Sequence, residues 1–174
     1  MSADVDARPP ICFRSNIMKT VSGDLIKMAQ NGDFDVIVHG CNCFNSMGKG
    51  IAAGIRMHFP KAYDVDQATN RGNRNKLGTC TYAEDMTDYP GLIVVNAYTQ
   101  YTFWSAGSDK TDLAEYDAIR DCFRELKGKV AGKSLRLGIP KIGAGLAGGN
   151  WDRISAIIEE EMAGEDLTLV LFEG

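Results

Sequence analysis

The sequence predicts a three-layer α/β domain with a largely parallel sheet. Two observations carry that reading. Apolar runs of strand length alternate along the chain with stretches whose apolar residues recur at helical spacing. Two glycine-rich loops, around Gly48–Gly50 and Gly143–Gly149, each follow such a run and precede a helical stretch. In α/β sheets ligands bind at that position, beyond the carboxyl ends of strands. The length of 174 residues suits one domain with a sizeable core, and 44% hydrophobic with 24% charged residues marks a globular chain.

Taken in order, residues 1–16 read as a polar, proline-containing tail with Ile11–Phe13 as a candidate edge strand, and the domain is expected over 17–174. Ile17–Val21 reads as a strand stopped by Ser22-Gly23-Asp24, and Leu25–Gln30 as a short helical turn closed by Asn31-Gly32. Val36, Ile37 and Val38 form a continuous apolar run that ends abruptly at Gly40, which suits an interior strand covered on both faces. Ile51, Ile55 and Phe59 then fall on one face of a helix over Gly50–Phe59, ended by Pro60. Lys61–Thr69 is a second helix, and Asn70–Lys76 a turn-rich loop whose Arg71, Arg74 and Lys76 are expected to be exposed. Thr79–Ala83 is a strand, Asp85–Gly91 a turn, and Leu92–Tyr98 a buried strand. It feeds an aromatic loop containing Tyr101, Phe103 and Trp104. The clearest helix is Asp112–Leu126, with Leu113, Tyr116, Ile119, Phe123 and Leu126 as its stripe and Thr111 or Asp112 as its cap. Leu135–Ile139 is a strand running into the second glycine loop. Asn150 caps a helix through Met162 with Trp151, Ile154, Ile157 and Ile158 facing inward, and Leu167–Phe172 is the last strand.

Charge and cysteine usage narrow the function classes. A net charge of −4 disfavours a nucleic-acid binder that relies on counterion release. No apolar stretch reaches membrane-spanning length, and residues 1–10 lack the apolar core of a signal peptide. Five cysteines, an odd number at irregular spacings, argue for a reducing compartment, and a cytoplasmic location is expected.

The chemistry concentrates in the two loops. Gly48 and Gly50 allow a ligand close to the backbone, and the amides of Lys49, Gly50 and Ile51 lie at a helix N-terminus, which suits an anion. A second loop of the same kind suggests a ligand with more than one phosphate, or a diphosphate with a sugar. Neither loop fits the P-loop pattern. Gly143-x-Gly145-x-x-Gly148 meets the dinucleotide fingerprint on paper, but it comes late and lacks the acidic residue about 20 positions on. A conventional NAD dehydrogenase is not expected, and neither a cofactor nor a metal is.

Four motifs in order carry a more specific resemblance: Gly23-Asp24-Leu25, His39-Gly40-Cys41-Asn42, Met47-Gly48-Lys49-Gly50-Ile51-Ala52, and Pro140-Lys141-Ile142-Gly143-Ala144-Gly145-Leu146-Ala147-Gly148. From about Val21 onward the chain resembles a macro domain, and within that family the branch of yeast-type and phage-type ADP-ribose 1″-phosphate phosphatases and the terminal ADP-ribose glycohydrolase. The resemblance implies a six-stranded mixed sheet between helices and a cleft for ADP-ribose or a derivative. It implies that Asp24 accepts the adenine amino group, Leu25 contacts the ring and Phe172 covers it. Asn42 would bind the distal ribose, Met47 to Ala52 would wrap that ribose and part of the diphosphate, and Ile142 to Gly148 would clamp the diphosphate. Gly23, Gly40 and Cys41 are counted with the site as members of these motifs.

The glycohydrolase's covalent lysine and its aspartate fall at Glu84 and Ala147, so both of that enzyme's groups are missing. His39 matches a strand-end histidine of the phosphatase branch, and a histidine beside a phosphate suits acid, base or nucleophilic work. The expected function is therefore dephosphorylation of ADP-ribose 1″-phosphate, with His39 and Asn42 catalytic. A non-catalytic ADP-ribose reader, or a hydrolase removing ADP-ribose from modified macromolecules, are the alternatives. The expected partner is the small-molecule ligand or an ADP-ribosylated macromolecule, with no membrane and a monomeric state. Bland readings stand beside these. His39, in an apolar run, equally suits a satisfied core residue. Cys41 and Cys43 suit small buried side chains, Asp24 a turn, Lys49 a solvated charge, and Asp152 and Glu159–Glu161 a helix surface.

Overall fold

A computed structural model describes residues 18–103 and 113–173. The expected tail, the edge strand at Ile11–Phe13, Trp104 and both candidate caps, Thr111 and Asp112, lie outside those residues. The described elements are β1 (Lys19–Ser22), α1 (Leu25–Gln30), β2 (Val36–Asn42), α2 (Gly50–His58), α3 (Pro60–Gln67), β3 (Cys80–Ala83), β4 (Ile93–Gln100), α4 (Tyr116–Val130), β5 (Arg136–Ile139), α5 (Trp151–Glu161) and β6 (Asp166–Leu171). The strands form one sheet in the order β1-β6-β5-β2-β4-β3, in which β3 alone runs antiparallel to its neighbour.

Strand parity builds the three layers. Successive side chains of a strand point to opposite faces, and β2 is covered on both. Val36 and Val38 join Val95, Ala97, Leu137 and Ile139 under α4 and α5, through Ile119, Phe123, Leu126, Ile154 and Ile158. Ile37 joins Val94 and Val170 under α1, α2 and α3, through Leu25, Ala29, Ile55, Phe59 and Ala62. The expected interior strand is therefore central, paired on one side to β4 and on the other to β5.

Several boundaries move for local reasons. Pro60 stops α2 and opens α3, because its fixed φ and missing N–H suit the first helical position. The long helix begins at Tyr116, four residues later than expected, and its apolar stripe continues one turn past Leu126 to Val130. Asn150 caps α5 as predicted, its side chain accepting from the Arg153 amide. Glu161 departs from the solvated helix surface expected of it: Arg120 and Arg124 both grip it from α4. Lys76 departs further. It is buried rather than exposed, and its Nζ donates to Cys43 O (3.2 Å) and to Asn45 Oδ1 while lying over the Tyr98 ring.

Candidate functional site

The cleft lies where the chain direction divides. β2 leads through α2, α3 and β3 to β4 on one side, and β5 leads through α5 to β6 on the other. The adjacent parallel strands β2 and β5 thus send their carboxyl ends toward helices on opposite faces, and a crevice opens between the two exits. It has a volume of about 520 Å³, with Gly48–Ala52 on one wall, Pro140–Gly143 and Gly145–Ala147 on the other, and Gly40, Asn42, Ser46, Gln100 and Phe103 at its floor and end.

Both walls present backbone donors. The first amides of α2, from Gly50 to Ala52, have no intrahelical acceptor by the geometry of a helix start. In the second loop the amides of Gly143, Gly145, Leu146 and Ala147 donate to no carbonyl among the described residues. The loop's shape is held from within. Ile142 N donates to Pro140 O (2.8 Å), Gly148 N to Gly145 O (3.0 Å) and Gly149 N to Gly143 O (2.7 Å). Gly143 has φ +74°, and a Cβ there would come within 3.1 Å of Ile154 Cδ1, so only glycine fits without strain. From outside, Leu113 N donates to Ala147 O (2.6 Å), tying the approach to α4 onto the loop. Among the described residues lining the cleft, the charged side chains are Lys49 and Lys141, both cationic, in a chain of net charge −4.

Most of the expected site residues meet here. Gly40, Asn42, Gly48, Lys49, Gly50, Ile51, Ala52, Ile142, Gly143, Gly145, Leu146 and Ala147 line the cleft, while Cys41, Met47, Ala144 and Gly148 do not. Met47 and Cys41 turn inward and pack with Cys43 and Tyr98 on the α3 side, so they anchor the first loop from beneath. Asn42 spends its side chain on that loop: Nδ2 donates to Ser46 O (2.9 Å), and Oδ1 accepts from the amides of Phe44 (2.9 Å) and Ser46 (3.4 Å). Its observed work is to shape the wall.

A second group forms at the neighbouring strand ends. Ser22 pairs with Leu171, and Gly23 N donates to Leu171 O (2.8 Å), which brings Gly23 and Asp24 beside Phe172 on the same edge of the sheet. Asp24 caps α1, with Oδ1 accepting from the amides of Ile26 (3.0 Å) and Lys27 (3.1 Å), and Oδ2 has no partner among the described residues. Phe172 is 74% exposed. The side chain of Leu25 departs from its expected ring contact, being buried in the core under α1.

His39 is the main departure. It shares parity with Ile37 and Cys41, which places it on the face opposite Gly40 and Asn42, under α3. It is fully buried and does not line the cleft. Asn96 commits both its amide hydrogens, to Ala62 O (2.9 Å) and Thr81 Oγ1 (3.1 Å), so its Oδ1 faces the imidazole and accepts from Nε2–H at 2.7 Å. Burial pulls the imidazole pKa down to about 4, against the opposing hydrogen bond that the ring donates to Asn96, and the ring is neutral near pH 7. The same polar layer continues through Tyr98, whose hydroxyl donates to Asp66 Oδ1 (2.8 Å). Burial raises the Asp66 carboxyl, with the Tyr98 hydroxyl and the Lys76 ammonium opposing. His39 is thus a satisfied core residue, and the expected catalytic histidine is withdrawn from the cleft. Glu84, standing at the glycohydrolase's lysine position, pairs with Lys129 at 2.7 Å.

Sequence reasoning missed Ser46, Gln100, Pro140 and Lys141 as lining residues, and left the choice among the aromatic residues open, where Phe103 is the one at the cleft. Lys141 and Gln100 had a usable signal, because each is a polar residue at or just past the carboxyl end of a buried strand. Gln100 is oriented: its Nε2 donates to Thr102 O (2.7 Å), leaving Oε1 as the acceptor.

A mixed six-stranded sheet between two helical layers, with paired amide-lined loops at its switch point, defines an α/β domain whose cleft has the lining that suits an anion. No family model matches the chain. It is 32% identical over 160 residues to an uncharacterized 17.5 kDa protein from the tk–vs intergenic region of Enterobacteria phage T4, covering 90% of this chain and 97% of that one. It is 28% identical over 156 residues to a Candida albicans protein named ADP-ribose 1″-phosphate phosphatase, covering 83% and 93% respectively. The macrodomain of Thermus aquaticus DarG superposes with a TM-score of 0.68 at 19% identity, over 91% of this chain and 99% of that one. Thermosipho africanus DarTG, solved in complex with ADP-ribose, gives 0.67 at 17% identity, over 90% of this chain and 42% of that one. The chain belongs to the macro domain family.

Proposed function

We propose that the protein binds ADP-ribose and removes the phosphate from ADP-ribose 1″-phosphate. The observation that carries this is the composition of one cleft: two amide-lined glycine loops, Lys49 and Lys141, and no carboxylate among its described lining residues. A diphosphate next to a phosphomonoester is a dense run of negative charge, and that lining complements it. The name of the Candida albicans relative and the ADP-ribose bound in the Thermosipho africanus structure support the same ligand class.

Phosphoryl transfer passes through a loose transition state, so positioning and charge stabilisation do most of the catalytic work. Lys49, Lys141 and the loop amides supply the charge. Gln100 Oε1, oriented by its bond to Thr102 O, accepts a hydrogen bond from the attacking water and aims it. The P–O bond to the sugar then breaks, water supplies the new P–O bond, one of its protons passes to the leaving sugar oxygen while the other stays on the phosphate, and ADP-ribose and inorganic phosphate leave. Asn42 serves by holding the first loop. At the other end Phe172 covers the adenine, and Asp24 Oδ2 accepts its amino group.

The test is a calorimetric titration with ADP-ribose followed by a phosphate-release assay on ADP-ribose 1″-phosphate. Binding together with stoichiometric phosphate and ADP-ribose is expected. A reader of ADP-ribose, without turnover, is the second reading, and one observation favours it: with His39 buried, the described cleft lining holds neither imidazole nor carboxylate. Tight binding with no phosphate released at micromolar enzyme would select that reading, and absence of binding would refute both.

A further inference from the structure

We infer that the Thr99 hydroxyl is a ligand-binding group at the floor of the cleft. Thr99 is fully buried near the end of β4, and its Oγ1 is the one buried side-chain nitrogen or oxygen among the described residues without a hydrogen-bond partner. Such groups cost free energy and are rare in folded proteins unless something else meets them. Valine has the same shape as threonine and needs no partner.

The surroundings say where a partner comes from. Thr99 shares parity with Val95 and Ala97, on the α4 side of the sheet, the face that Gly40 and Asn42 also occupy on β2. Gly40 lines the cleft. A Cβ built on Gly40 would stand 2.9 Å from Thr99 Oγ1 and 3.3 Å from Ile142 Cγ2. The glycine therefore leaves out a side chain that would stand against the hydroxyl, and Ile142 is the other side chain bordering that space. Ile142 opens the second glycine loop, so a ligand seated between the loops displaces that side chain and exposes Oγ1. An oxygen of the ligand, a sugar hydroxyl or a phosphate oxygen, then takes the hydrogen bond. The glycine at position 40 and the threonine at 99 form one device, an opening and the donor behind it.

This rests on the ADP-ribose reading, and the experiment separates the two. Wild type, Thr99→Val and Thr99→Ser are compared by thermal unfolding without ligand and by calorimetry with ADP-ribose. Replacing an unpartnered hydroxyl by a methyl is expected to leave the melting temperature unchanged or raise it, while the affinity for ADP-ribose falls about threefold to tenfold, the worth of one neutral hydrogen bond. Thr99→Ser keeps the hydroxyl and is expected to bind within about twofold of wild type. Equal binding by Thr99→Val and wild type overturns the inference and leaves the ADP-ribose reading intact. A clearly lowered melting temperature of Thr99→Val also overturns it, by showing a structural partner. Wild type that fails to bind ADP-ribose overturns the ligand reading itself and the inference with it.

Discussion

Replacing His39 by glutamine separates a core histidine from a catalytic one. Glutamine keeps an N–H for Asn96 Oδ1 and removes the titratable ring. In the folded protein the imidazole pKa is lowered from 6.5 to about 4 by burial. A lowered folded pKa means that the unfolded chain takes up the proton first. The stability held by the neutral ring is therefore complete above about pH 7, and it is lost as pH falls from the unfolded value through the folded one. At about 1.4 kcal/mol per unit, the interval from 6.5 to about 4 amounts to roughly 3 kcal/mol. The assay is urea unfolding of wild type and His39→Gln from pH 7.5 to 4, read as the difference between the two. The other shifted groups, including the raised Asp66 and the lowered Asp35 and Glu161, are common to both proteins and cancel in that difference. The difference should be flat above about pH 7 and move against wild type by roughly 3 kcal/mol toward pH 4. Turnover of folded His39→Gln should stay within a few-fold of wild type. A flat difference across the whole range, or folded His39→Gln that binds ligand yet loses turnover a thousandfold, would refute the reasoning.

Lys49→Met and Lys141→Met should each lower kcat/KM for ADP-ribose 1″-phosphate about tenfold to a hundredfold, the worth of a charge-assisted hydrogen bond, with a smaller loss in ADP-ribose affinity. Steady-state phosphate release and calorimetry measure the two effects. Phe172→Ala removes a ring that is 74% exposed, so thermal stability should hardly change while ADP-ribose binds about tenfold more weakly, in line with base–aromatic stacking. Lys76→Met deletes the bonds to Cys43 O and Asn45 Oδ1 beneath the first glycine loop. It should cost about 3 kcal/mol in urea unfolding, and a change below about 0.5 kcal/mol would show that the buried ammonium is not held as described.

Much was legible in the sequence because it depends on local chemistry. The continuous apolar run at Val36–Val38 needs cover on two faces and so becomes a central strand. Asn150 caps α5 through its own side chain, and the glycine loops follow strands and open helices. Each of these is decided within a few residues of chain. The motifs around Asp24, Asn42, Gly48 and Gly143 were enough to give the family. Other features were settled by groups far away in sequence. Lys76 reads as one more cation in a polar loop, and only Cys43, Asn45 and Tyr98, brought together by the fold, bury it. Parity alone puts His39 on the opposite face of β2 from Gly40 and Asn42. Which of those faces borders the cleft depends on where the loop after β5 lies, and β5 is some hundred residues away in the chain. The sequence by itself therefore determined the fold, the family and the two glycine loops that follow strands and open helices. The tertiary structure alone decided that the histidine belongs to the core, that Lys141 and Gln100 belong to the cleft, and that Thr99 waits behind Gly40, because long-range strand pairing determines which face of a strand meets a ligand.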